Sequence, residues 1–350
     1  MGSSGSMFRN AFVLACLALV SACTPYLYPQ GPASQAPVMT EDAFIMADGA
    51  ELPLRRWDPE VMLAAGHAGP TAIVLALHGF NDYSNAFDTP ARAWSKDGIL
   101  TIAYDQRGFG EAPHRGRWAG VETMTDDLLN AARLVRDRYP KAPLVVLGES
   151  MGAAVVMAAA ARYPDLPADR LVLSAPAVWG RDTMPGWQRV SLDLLANTLP
   201  WLEVSPQHIR RVPSDNIEML QALGRDPLII KRTRIDALWG LVNLMDAARE
   251  AAPRLRHDSL ILYGAKEDIL PADAWQSMID TLPRNGHWKL RLYSRGFHML
   301  LRDLNAAVVI EDISRYVLNP DALNPTEQEA RRPQLRRLPL PESDAAAFPG

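Results

Sequence analysis

Short β-branched runs alternate with longer helical patterns along most of this chain, and that alternation constrains its fold more than any other feature. The runs are TAIVLAL at 71–77, ILTIAY at 99–104, PLVVLG at 143–148, RLVLSA at 170–175, SLILYG at 259–264 and WKLRLY at 288–293. Apart from WKLRLY they lack polar alternation, so both faces of these strands must be covered, as in a mostly parallel sheet between helical layers. Segment 43–56 carries Asp48-Gly49 between two strand-like halves, a hairpin signal that adds an antiparallel start. The expectation is an α/β fold with an eight-stranded, mostly parallel sheet. Segment 121–138 sets Val121, Met124, Leu128, Ala131, Ala132 and Val135 on one helical face, and 151–162 is almost wholly apolar, as befits a helix packed centrally on a sheet. Residues 176–256 break the rhythm, because they are far longer than a normal crossover. Their helical periodicity and their tryptophans predict an inserted helical cap, leaving 39–175 and 257–318 as the core.

Apolar residues make up 48% and charged residues 22%, which excludes a largely disordered or polytopic membrane chain. With 36 Lys and Arg against 40 Asp and Glu the net charge is −4, so nucleic acid is not the expected partner. Both cysteines, Cys16 and Cys23, lie near the start, so the globular part holds together by burial without disulfides. The opening MGSSGS reads as a tag remnant. Arg9 and the apolar run AFVLACLALV at 11–20 follow, too short to cross a bilayer as a helix. The run leads into Val20-Ser21-Ala22-Cys23, which resembles a bacterial lipobox. That resemblance implies a signal peptide ending at residue 22, lipidation of Cys23 and a membrane anchor in the cell envelope; Thr24 in place of an acidic residue points to the outer membrane. Residues 23–38 then read as a tether, and 319–350 as a Pro-rich tail.

The chemistry centres on Gly148-Glu149-Ser150-Met151-Gly152, a G-x-S-x-G pattern where the PLVVLG strand meets the apolar helix. The serine is held in a strained turn, and glycines at 148 and 152 let strand and helix approach. A serine hydroxyl needs a base, and the base needs an orienting carboxylate. Asp268 follows the SLILYG strand and His298 follows the WKLRLY strand, so both fall on the carboxyl edge of the sheet with Ser150. Ser150, Asp268 and His298 are therefore the candidate triad, with Glu267 the adjacent rival for the acid. The loop Leu77-His78-Gly79-Phe80 supplies an oxyanion donor: the amides of Phe80 and Met151 are the expected pair, and His78 orders the loop. Asp105-Gln106-Arg107-Gly108-Phe109-Gly110 lacks a phosphate-loop order and reads as a structural turn. No metal-ligand spacing is present, and neither metal nor cofactor is expected. Trp179, Met184 and Trp187 are candidates for lining an acyl-chain pocket.

Together LHGF at 77–80, DQRGFG at 105–110, GESMG at 148–152, SAP at 174–176, the segment at 225–242, YGAKED at 263–268 and GFHMLL at 296–301 resemble the α/β-hydrolases. Within them the chain is most similar to the bacterial monoacylglycerol lipase and lysophospholipase group with its serine-aminopeptidase-like relatives. The resemblance covers roughly 40–318 and implies hydrolysis of small acyl esters bearing one chain. Two departures fall at Asn81-Asp82-Tyr83-Ser84, where a glycine-acid-histidine continuation is common, and at YGAKED, where a histidine-glycine start is frequent. Two alternatives stay open: a peptidase of the same fold, with Glu203, Asp215 and Glu218 of the cap available to hold an amine, and a non-catalytic lipid-binding lipoprotein.

Overall fold

The strand runs read from the sequence assemble as one sheet because most of them have two apolar faces to bury. The computed structural model describes residues 25–60, 69–205, 211–284 and 287–322. In chain order the first strands are β1 (Val38–Met39), β2 (Ala43–Ile45), β3 (Glu51–Trp57), β4 (Ala72–Leu77) and β5 (Ile99–Tyr104), with α1 (Asp88–Lys96) between the last two. Then come α2 (Val121–Arg138), β6 (Leu144–Glu149), α3 (Met151–Arg162) and β7 (Arg170–Ser174). A stretch with α4 (Gly186–Thr198), β8 (Glu203–Val204), α5 (Ile217–Arg225) and β9 (Thr233–Arg234) leads to α6 (Ile235–Ala251). The chain closes with β10 (Asp258–Gly264), α7 (Ala272–Thr281), β11 (Trp288–Tyr293) and α8 (Ala306–Leu318).

Among the described residues nine strands form the main sheet, in the order β1-β2-β3-β5-β4-β6-β7-β10-β11. The first three are antiparallel and β5 to β11 run parallel. Alternate residues serve opposite cores: Ile73, Leu75 and Leu77 of β4 face one, Ala72, Val74 and Ala76 the other. Helices α2, α3 and α6 pack into the first core, and α1 and α8 into the second. β4 lies between β5 and β6, so the connections from β4 to β5 and from β5 to β6 run in opposite directions across the sheet, and the carboxyl ends of the strands at such a reversal are where open α/β sheets place their sites.

Three expectations change. The ninth strand is β1, which lies at the end of the segment expected to be a tether and pairs with β2. That segment is itself bound to the domain. The Tyr28 amide donates to the Trp118 carbonyl at 2.8 Å, the Gln30 amide to Thr123 Oγ1 at 3.1 Å, the Gly31 amide to Asp48 Oδ2 at 2.9 Å and the Ser34 amide to the Ala47 carbonyl at 2.7 Å. Its composition suits a linker, but its acceptors sit on elements distant in sequence.

The third change concerns the cap. Helix α6 lies along α3 and buries Ile235, Ala237, Val242, Leu244, Met245 and Ala248, so it belongs to the core layer. The part without a place in the sheet's helical layers therefore ends near residue 234, before the predicted limit of 256. Cap and core helices share one periodicity, so the pattern alone did not separate them. Gly240 marks the contact: a β-carbon there would stand 2.2 Å from the buried Trp118 ring. Replacing it by valine is expected to cost about 1–3 kcal/mol through overpacking, measured as a lower urea midpoint with an unchanged slope.

Candidate active site

Ser150 lies in the turn from β6 to α3 with φ 54° and ψ −111°, a left-handed conformation uncommon for a residue with a β-carbon. The turn is held from both sides. The Ser150 amide donates to the Ser174 carbonyl at the end of β7, and the Ser150 carbonyl accepts from the Ala154 and Ala177 amides. Gly152 passes so close to β4 that a β-carbon would stand 2.1 Å from the Leu77 carbonyl oxygen, and one at Gly148 would meet the start of α3 at 2.4 Å. The glycines of the motif are thus present for close approach, as the sequence implied.

His298 follows β11 and places Nε2 2.9 Å from Ser150 Oγ. Its Nδ1 lies 2.7 Å from a carboxylate, and that carboxylate belongs to Glu267 instead of Asp268. The Glu267 side chain is 2% exposed, and its other oxygen accepts the amides of Ile269 and Leu270 just ahead of α7. Asp268 points the other way: 40% exposed, it takes an ion pair from Arg211 at 3.0 Å and the Val212 amide at 3.0 Å. The predicted acid is therefore displaced by its neighbour. Adjacent side chains on one loop leave in different directions, and the local sequence did not specify which would turn inward. The acid loop and the histidine loop touch through glycine: a β-carbon on Gly264 would lie 2.2 Å from the Gly296 carbonyl oxygen. Burial by itself would depress the His298 pKa, but the Glu267 and Glu149 carboxylates outweigh it and hold the imidazole above its ordinary value of 6.5.

No backbone carbonyl among the described residues accepts the amide of Phe80 or Met151, and Gly79, next to Phe80, lies against Ser150, where an added β-carbon would be 3.5 Å from that of the serine. His78 orders this loop: Nδ1 lies 2.8 Å from the Gly79 carbonyl and Nε2 accepts the Gln106 amide at 3.0 Å, which fixes a neutral tautomer. Burial lowers its pKa. The loop departures noted in the sequence tie this loop to the cap: the Asn81 carbonyl accepts the Ile230 amide, Asn81 Nδ2 donates to Thr233 Oγ1 at 2.7 Å, and the Tyr83 hydroxyl donates to Asp226 at 2.7 Å. The DQRGFG loop is structural, as expected. Asp105 accepts the amides of Ser84 and Glu111, while buried Arg107 is paired with Asp48 at 2.8 Å and Asp127 at 2.7 Å.

One participant was missed in the sequence. Arg302, four residues beyond His298, is buried and joins the nucleophile turn to the oxyanion loop: Nη2 lies 3.0 Å from Glu149, the residue before Ser150, and Nη1 2.7 Å from Asp82. Three loops that must converge on the site are thereby held by one guanidinium fork. A lone arginine in a loop carries no local signal of such a role. Of the proposed pocket residues, Trp179 and Met184 are partly buried against the core cluster. Trp187 is 71% exposed, so it does not line an enclosed pocket. Cys23 lies outside the described residues. Among the described residues no three His, Cys, Asp or Glu side chains are grouped to hold a metal ion.

A serine in a strained strand–turn–helix elbow, backed by histidine and a carboxylate on the carboxyl edge of a mostly parallel sheet, defines an α/β-hydrolase. Residues 68–305, more than half of the chain, match the family described as Hydrolase_4, serine aminopeptidase S33, and the chain belongs to it. It is 23% identical over 292 residues to the monoacylglycerol lipase of Mycolicibacterium smegmatis, covering 80% of this chain and 97% of that one. With the monoglyceride lipase of Homo sapiens it shares 24% over 263 residues, covering 74% and 84%. Among solved structures, a monoacylglycerol lipase from Paleococcus ferrophilus superimposes with a TM-score of 0.63 at 19% identity, covering 77% of this chain and 98% of that one. A soluble variant of the Saccharomyces cerevisiae monoglyceride lipase, in complex with a substrate analog, gives 0.65 at 18%, covering 84% and 100%.

Two mutational outcomes follow from this geometry. Glu267→Gln is expected to lower kcat by about 10³–10⁴-fold, as when a triad carboxylate loses its charge, while Asp268→Asn changes it only a few-fold; steady-state kinetics on one chromogenic ester separates them. Arg302→Met leaves two buried carboxylates uncompensated and is expected to cost about 3–5 kcal/mol. Burial already raises the Glu149 pKa, against the pull of Arg302. Protonation therefore favours the folded variant, and its loss of stability should shrink as pH falls from 7 towards 5 in denaturant titrations.

Proposed function

We propose that this protein is a serine hydrolase of lipid esters carrying a single acyl chain, of the monoacylglycerol or lysophospholipid type. The observation that carries the reading is the continuous chain from Ser150 Oγ through His298 to Glu267, at 2.9 and 2.7 Å. In this mechanism Ser150 Oγ attacks the acyl carbonyl while His298 Nε2 removes its proton. Glu267 fixes the imidazole through Nδ1 and stabilises its charged form. The amides of Phe80 and Met151 receive the oxyanion. The protonated His298 gives its proton to the departing alcohol as the acyl-serine forms, and water then releases the fatty acid by the same route. Neither metal nor cofactor takes part.

The lipid character of the substrate is supported by the named activities of the similar proteins and by the surface of the cap. Helix α4 turns Trp187, Val190 and Leu194 outward at helical spacing, an apolar face suited to contact with an aggregated lipid. The peptidase alternative has less to draw on. Glu203 is paired with Arg232 at 3.1 Å and Asp215 accepts the Leu304 amide at 2.9 Å, which leaves Glu218 of the three acids considered for an amine. The lipobox-like sequence supports a location in the cell envelope, anchored to the outer membrane through Cys23.

Hydrolysis of p-nitrophenyl esters and 1-monoacylglycerols of graded chain length tests the proposal. Turnover should fall by about 10⁴–10⁶-fold in Ser150→Ala. The base must be neutral to act, so kcat/KM should rise with pH through a pKa above 6.5, the ordinary imidazole value. Esterase activity that survives Ser150→Ala, or preferential turnover of aminoacyl-naphthylamides, would count against this reading.

A further inference from the structure

The N-terminal segment was expected to be a free spacer, and the structure binds it to the domain from Tyr28 onward. That changes what an anchor at Cys23 does. From Cys23 to Tyr28 there are five residue steps, which span at most about 17 Å when fully extended. A lipidated cysteine sits at the boundary of hydrocarbon and headgroups, and the headgroup layer itself takes up about 5–8 Å of that reach. Little length remains for the domain to stand away from the surface or to tumble on its leash.

The surface around that attachment has the composition of an interface. Tyr26 is exposed, and its ring lies edge-on to Tyr28 at 4.7 Å. Tyr28 packs on His114 at 4.8 Å, and the Arg117 guanidinium lies over the Tyr28 ring at 5.5 Å. Leu27 and Arg115 are exposed beside them, and Arg115 also donates to the Pro227 carbonyl at the base of the cap. Tyrosines with arginines and an aliphatic side chain are the residues that settle at headgroup depth, where aromatic rings and cations are both accommodated. Two acids, Glu111 and Glu122, lie close by in sequence, so the patch is not a purely basic one.

We infer that the face formed by Tyr26, Leu27, Tyr28, His114, Arg115 and Arg117 rests on the lipid headgroup layer and holds the hydrolase in one fixed orientation on its membrane. The inference rests on the proposed lipidation of Cys23. The short leash confines the face to the bilayer, and the aromatic and cationic side chains make the contact favourable. Through Arg115 and Pro227 the same edge continues into the cap, so the base of the cap is held near the surface from which a lipid ester would be drawn.

Cys16 and Cys23 are the chain's two cysteines, so with the signal peptide removed and Cys23 acylated, an introduced thiol is labelled selectively. The test uses the acylated full chain reconstituted in vesicles of phosphatidylethanolamine and phosphatidylglycerol, with an environment-sensitive fluorophore on Arg115→Cys or, as a control, on Glu311→Cys. Glu311 is exposed on α8, which packs on the opposite face of the sheet. At position 115 the emission should shift to the blue and iodide quenching should fall several-fold relative to the same protein in detergent; at position 311 neither should change. Insertion of twenty Gly and Ser residues after Thr24 should restore much of the quenching at position 115. Mass spectrometry of the N-terminal peptide separates the two levels of the idea. An unmodified Cys23 would remove the proposed anchor and this inference together. An acylated Cys23 with position 115 as open to iodide as position 311 would overturn the inference alone, leaving the anchor and the hydrolase reading in place.

Discussion

The site depends on a backbone conformation that its own residue does not favour. Ser150 stands at φ 54° between a strand and a helix that are both locked in the core. A left-handed serine costs conformational energy of roughly 1–3 kcal/mol, and the surrounding structure meets it with backbone hydrogen bonds and close apolar packing. Helix α3 can begin where it does because Gly152 lets it touch the end of β4. With α3 fixed, α2 and α6 have a surface to cover. The strain that presents the hydroxyl and the packing that secures the fold are therefore consequences of the same contact.

Around that turn the protein brings three loops together with charge as well as apolar contact. Arg302 ties the residue before the nucleophile to the loop that carries the Phe80 amide, and it does so from the loop that carries His298. A buried guanidinium with two carboxylates adds little net stability compared with a well-packed apolar cluster, yet any one partner is costly to remove. Its value here is geometric, because a planar fork with directed donors specifies where both carboxylates lie. The cap is attached at the same place through Asn81, Tyr83 and Thr233. The cap base is thus tied by hydrogen bonds to the loop that carries Phe80.

The domain's outer surface tells a related story. The N-terminal segment is hydrogen-bonded to Trp118 and Thr123, and the cap turns apolar residues outward. Both features lie on the surface of a chain whose core is otherwise densely covered.

Much of this was legible in the sequence, for definite reasons. Strand runs such as TAIVLAL need cover on both faces whatever surrounds them, so the parallel sheet followed from local pattern. The GESMG turn was recognisable because glycine is required wherever backbones approach within a β-carbon's reach. His298 was found because strand ends in a parallel sheet share one edge. What the sequence did not decide was every matter of direction in space. Glu267 and Asp268 are equivalent by chemistry and position, and only the packing of the loop against Gly296 and the cap turned one inward and the other towards Arg211. Residues 25–37 look like linker because their hydrogen-bond partners lie far along the chain. Arg302 gave no sign at all, since the carboxylates that define it come from loops at 82 and 149. Local propensity and periodicity act within a few residues, and they fixed the elements; long-range contacts belong to the tertiary structure, and they chose the acid, the clamp and the boundary of the cap.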